Sequence, residues 1–155
     1  MKKLVVAAAV MASLLSGCAS VPMESTDRSD MAKKFILPKD GKAGIYIFRK
    51  DTIVGAALKK DVWIDGECVG ETAKGIFFYN EVDGDKTHTL STESEFSPND
   101  LMLDTKKGNL YFVEQYLKMG AFVGGAGLKL YDKEAGMQEV SKLNLGKSGN
   151  CSGNR

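Results

Sequence analysis

Histidine and tryptophan each occur once among the 155 residues, and proline and cysteine three times each. One histidine leaves no His-x-x-x-His spacing, and the cysteines form no Cys-x-x-Cys pair, so the usual metal-ligand patterns are missing. No Gly-x-Ser-x-Gly elbow and no Walker motif appears. Charge of one sign is not in excess, with 21 Lys and Arg against 20 Asp and Glu. That balance excludes the basic stripe expected of a nucleic-acid binder and a polybasic segment for anionic lipid. The longest apolar run, from Leu4 to Leu15, is well short of the ~20 residues that cross a bilayer. What is present is glycine, 17 residues of it, set between short runs rich in Val, Ile, Tyr and Phe. This pattern favours a β-rich domain.

Lys2 and Lys3 precede the apolar run, and Leu15-Ser16-Gly17-Cys18 ends it. A positive start, a short apolar stretch and small residues before a cut make an export signal. The tetrapeptide resembles the lipobox of bacterial lipoproteins. The resemblance implies cleavage between Gly17 and Cys18, a diacylglyceryl thioether on Cys18 and an acyl group on its new amine. One acyl chain holds a protein only marginally, whereas two hold it stably. An ordinary cleaved signal followed by a chance cysteine is the competing reading. Residue 19 is Ala rather than Asp. By resemblance to Gram-negative lipoproteins, this favours the outer membrane, with the domain facing the periplasm, over the inner membrane or the cell surface.

The rest divides into a lipidated N-terminus and flexible tether over 18–42, a β-rich domain over 43–146 and a disordered tail over 147–155. Asp27 to Phe35 has room for a helical turn or two, and Phe35, Ile36 and Leu37 return to the domain as its first packed residues. Gly44 to Arg49 is apolar on both faces and reads as a central strand. Thr52 to Leu58 reads as a second short strand. Val62 to Ile64 and Glu67 to Thr72 flank Asp65-Gly66, whose positive φ angles suit a two-residue hairpin turn. Gly75 to Val82 and Lys86 to Glu95 flank Asp83-Gly84 in the same way. Leu101 to Leu103, Leu110 to Leu117 and Gly127 to Tyr131 complete the strands. Met137, Val140 and Leu143 recur at a spacing that suits a short closing helix, although Gly136 weakens it by ~1 kcal/mol relative to Ala, and a strand fits nearly as well. The expected fold is mainly β, a small antiparallel β-sandwich or barrel-like domain.

Several segments, in order, carry a wider resemblance: the lipobox, Ala43-Gly44-Ile45-Tyr46-Ile47-Phe48-Arg49, Val62-Trp63-Ile64-Asp65-Gly66 with Gly70, and Gly108-Asn109-Leu110-Tyr111-Phe112-Val113. Together they resemble the small bacterial lipoproteins of the domain of unknown function 2846 family. The strand-Asp-Gly-strand piece is also similar to PEGA-type β-domains. The resemblance implies a small β-sandwich and no established activity.

Candidate chemistry is sparse. With Cys18 lipidated, Cys68 and Cys151 remain, and the oxidising compartment that an exported protein meets makes them a candidate disulfide; two unpaired thiols are the alternative. Cys68, His88 and Cys151 could only form a metal site without local ligand pairs, and no metal or other cofactor is expected. Glu93 and Glu95 share a strand face and suit either acid–base work or a solvated strand end. Met119 to Leu128 holds four glycines and no charge. Met119, Phe122, Val123 and Leu128 in it are either a buried bend or a contact loop for lipid or a partner. The function expected is a non-enzymatic, lipid-anchored envelope module that binds or scaffolds, with the bilayer and an envelope protein as partners. The alternative is a ligand-binding protein or hydrolase with Glu93, His88 and Tyr116 lining a site between strand faces.

Overall fold

A computed structural model describes residues 20–93, 99–118 and 124–153. Its elements in chain order are α1 (Thr26–Ala32), β1 (Lys42–Arg49), β2 (Lys60–Ile64), β3 (Glu67–Thr72), β4 (Ile76–Asp83), β5 (Lys86–Thr92), β6 (Asn99–Thr105), β7 (Leu110–Lys118), β8 (Gly125–Tyr131), α2 (Lys133–Ser141) and β9 (Asn144–Leu145). They build two sheets, with strand orders β8-β7-β1-β4-β9 and β3-β2-β5-β6. The fold is mainly β, as the alternation predicts. Its pairing is mixed rather than wholly antiparallel, because β1 runs parallel to β7 and β4 parallel to β9. Long connections permit this: the whole second sheet lies between β4 and β7 or between β1 and β4 in sequence, and parallel neighbours need such crossovers.

The apolar run of β1 is explained by two cores. Ile45 and Ile47 point between the sheets, where Val62, Ile64, Val69, Ile76, Phe78, Leu90, Leu103 and Val113 join them. Tyr46 and Phe48 point outward and pack with Phe77, Leu110, Phe112, Val140 and Leu143 beneath the two helices. The molecule is therefore three layers: helices, a five-stranded sheet and a four-stranded sheet. Of the recurrence at 137, 140 and 143, Met137 and Val140 lie on a helix, α2, which Asp132 caps through Ala135 N, and Leu143 follows its C-cap Lys142.

Four sequence expectations are corrected. Asp83-Gly84 does not turn a hairpin, because β4 and β5 belong to different sheets and the positive φ of 56° falls on Asp85. Thr52 to Leu58 is a turn-rich loop, not a strand. Gly55 takes a φ of 69° there, and the buried Arg49 guanidinium donates to the carbonyls of Gly55 and Leu58. Residues 20–42 are not a free spacer from their start. Ser25 caps α1, Tyr46 Oη donates to Ala32 O at 2.8 Å, and Phe35 stacks edge-on against Tyr46 and Phe112. Phe35 accepts a φ of 50° to make that turn, and Ile36 and Leu37 point to solvent instead of returning to the core. Residues 147–153 are also held. Gly149 N donates to Val69 O, Glu71 N donates to Asn150 O, and Cys68 and Cys151 form a disulfide with a Cα–Cα distance of 6.1 Å. Polar composition marked these segments as mobile, but backbone groups bond to any sheet edge that leaves partners open.

Candidate functional site

One end of the sandwich carries a polar cavity of about 330 Å³ between β3 and β4. Two tight turns form its rim. Asp65 and Gly66 take φ angles of 53° and 83°, the left-handed pair that a two-residue hairpin demands. That turn swings the Asp65 carboxylate toward β5. Oδ1 accepts from Thr89 N at 2.8 Å and Oδ2 lies 2.6 Å from His88 Nδ1. The other ring nitrogen, Nε2, lies 2.9 Å from Asp83 O. A carbonyl only accepts, so Nε2 donates, and the Nδ1 contact holds one proton between nitrogen and carboxylate. Burial works against the charge on Asp65, but hydrogen bonds from His88 and Thr89 outweigh it and hold the carboxyl below its ordinary range. Asp83, on the second turn, is likewise held low, first by its hydrogen bond from Lys42 at 2.7 Å.

His88 is thus a clamp between the β2–β3 hairpin and the β4–β5 link that joins the two sheets, with only 3% of its surface exposed. Its alternation with Leu90 and Thr92 is visible in the sequence, and all three are buried. Three polar groups on the cavity wall make no such hydrogen bond, although the Lys86 charge acts at longer range on Asp65 and Asp83. Lys86 and Glu67 form no ion pair among the described residues, and Asn80 Nδ2 is buried without a hydrogen-bond partner. Sequence reasoning singled out none of the three, since Asn80 stands on a strand that otherwise reads as apolar and the two charges look like solvated hairpin flanks.

The structure does not bring Glu93, His88 and Tyr116 together. His88 and Glu93 stand near opposite ends of β5's run, five residues apart and about 16 Å along a strand. Glu93 pairs with Lys60 at 3.1 Å. Tyr116 borders a separate cleft with Arg49 and Glu114. Cys68 and Cys151 are consumed by their disulfide, and no group of three His, Cys, Asp or Glu side chains among the described residues is placed to hold a metal. Leu128 lies on β8, partly buried against the inter-sheet core. Gly17, Cys18, Met119, Phe122, Val123 and Glu95 lie outside the described residues.

Two further buried polar sites were not read from the sequence. Gln115 is fully buried between the sheets, where Nε2 donates to Thr92 Oγ1 at 2.7 Å and Oε1 accepts from Thr72 Oγ1. Asp61 is fully buried on the outer side of β2, and its Oδ2 accepts from Ser152 N, Ser152 Oγ and Gly153 N at 2.8–2.9 Å. A period-two pattern places both on strands but does not reveal which partners cover them. No helix among the described residues is long and apolar enough to cross a membrane.

The sequence compares with known proteins as follows. A family model described as "Protein of unknown function (DUF2846)" matches residues 39–126. An uncharacterized protein of Haemophilus influenzae is 48% identical over 132 residues, which is 85% of this chain and 77% of that protein. No solved structure matches. With the family model spanning more than half of its length, and most of both sheets, this chain belongs to the DUF2846 family.

Proposed function

We propose that this protein is a lipid-anchored envelope lipoprotein whose β-domain works on the periplasmic side of the outer membrane as a non-enzymatic binding or scaffolding module. The observation that carries the reading is Leu15-Ser16-Gly17-Cys18 behind a short apolar run that starts at two lysines. Acylation of Cys18 would hold the chain by buried methylenes, at ~0.8 kcal/mol each, with no spanning helix. The residues first considered for hydrolysis stand apart, which supports binding over catalysis. A disulfide between Cys68 and Cys151 suits an oxidising compartment. An envelope protein is the partner class proposed, to be sought by crosslinking in intact membranes and co-purification.

Globomycin, which blocks the lipoprotein signal peptidase, tests the anchor. The expected result is accumulation of the uncut precursor, together with a mature form from untreated cells whose Cys18 carries lipid by mass spectrometry. A processed, soluble product with a free Cys18 thiol overturns the reading.

A further inference from the structure

Residues 21–24 run toward the end of the molecule that holds the polar cavity, and the strand pairing shows why. Met23 bridges Gly146 in antiparallel sense, Lys147 N donates to Pro22 O, and β9 runs parallel to β4. Going backward from Glu24 to Val21, the chain therefore travels in the direction of β4, from Ile76 toward Asp83. Asn80, Val82 and Asp83 at that end line the cavity. Val21 packs against the inter-sheet core and so belongs to the folded domain. Only Ala19 and Ser20 separate it from Cys18. Three residue steps reach about 11 Å at full extension. An acylated Cys18 would thus hold this end of the sandwich at the depth of the lipid headgroups.

The cavity's groups that lack a close ion-pair or hydrogen-bond partner have a matching chemistry. Lys86 offers an ammonium, Asn80 Nδ2 a buried donor and Glu67 a carboxylate. One anion and one cation on the same small ligand would satisfy all three. Resting on the lipoprotein reading above, we propose that this cavity binds the headgroup of a zwitterionic phospholipid of the membrane in which the anchor sits. The phosphate meets Lys86 and Asn80, and the headgroup ammonium meets Glu67. A buried amide donor without a partner is destabilising until something accepts from it, and the phosphate supplies that acceptor.

The test uses the full-length acylated protein in detergent micelles, titrated with dihexanoyl phosphatidylethanolamine and, separately, with dihexanoyl phosphatidylglycerol or free phosphoethanolamine. The Asn80 side-chain amide is followed by NMR. Saturable shifts are expected with phosphatidylethanolamine, at an affinity at least tenfold above that for phosphatidylglycerol. Lys86→Glu and Glu67→Lys should each lower that affinity at least tenfold with the thermal midpoint retained. Equal responses to the two lipids, or none, overturn the proposal, and so does tighter binding of free phosphoethanolamine than of the lipid. Mass spectrometry of the same sample separates the two readings. A free thiol at Cys18 overturns both, whereas an acylated Cys18 with a flat titration overturns the headgroup site alone.

Discussion

Gly136 stands inside α2, where helix propensity alone counts it as a loss of ~1 kcal/mol against Ala. Packing reverses the sign. A Cβ at this position would lie 2.3 Å from Phe112 Cβ, inside the contact that seats α2 on the sheet. Gly136→Ala is expected to destabilise the domain by about 1–3 kcal/mol, read as a lower urea midpoint at an unchanged slope. Asp65 makes a second residue-scale case. A carboxyl held below its ordinary value contributes stability above about pH 4 and loses it as the pH falls through the folded value. Asp65→Asn should therefore lower the thermal midpoint at pH 7, and the gap from the parent should close as the pH is taken below about 4. Gln115 is the third. Its amide joins β7 to Thr72 and Thr92 of the other sheet. Gln115→Ala removes that amide and leaves buried hydroxyl and carbonyl groups under-bonded, for a loss of about 1–3 kcal/mol in denaturant unfolding.

At the scale of elements, the C-terminal segment acts as a strap. It leaves β9 on one sheet, bonds the edge of β3 on the other and ends over Asp61, with the disulfide fixing its middle. It therefore covers one open side of the sandwich. The opposite side is joined by Ala126 N donating to Glu93 O, and by Asn99 Nδ2 donating to Ala126 O. The Cys68–Cys151 bridge spans a sequence separation of 83, and the chain-entropy treatment assigns such a loop about 4–5 kcal/mol. A double Cys68→Ser, Cys151→Ser variant should lose stability on that order, and exchange of the Glu71 amide, bonded by the strap, should speed up more than that of the β1 amides. The loop over 51–59 has a different fastening. Arg49 is 3% exposed and bonds carbonyls of this loop. Neither the loop's composition nor its length announces that role.

For the whole molecule, residues 20–35 count as part of the folded domain. Phe35 and α1 cover Tyr46 and Phe112, and Ser29 is buried where its Oγ accepts from Leu145 N. Deleting residues 20–35 uncovers the outer aromatic face, and burial of a single such side chain contributes about 1.5–3 kcal/mol. The deletion should lower the thermal midpoint clearly and raise dye binding to exposed apolar surface; an unchanged midpoint would return the segment to the status of a spacer. With Val21 already packed on the core, only Ala19 and Ser20 stand in sequence between it and Cys18, the residue proposed to carry lipid.

The β-rich character, the Asp65-Gly66 hairpin and the central position of β1 were legible because side-chain periodicity and turn chemistry are local properties; Asp83-Gly84 carries the same local signal, yet it links strands of two different sheets. Alternation in Lys86 to Thr92 likewise showed which face His88 would join. The proposed export signal and the cysteine behind it are local in the same sense, being read as a linear string. Which strands pair across long connections, which polar residues become Gln115-like bridges, and where the two termini attach depend on groups far apart in the chain. Edge hydrogen bonds and shape decide these, and no window of neighbouring residues encodes them. The cavity between β3 and β4 belongs to this second kind: its walls come from the β2–β3 hairpin and from the β4–β5 link between the sheets, which meet only once the sheets have stacked.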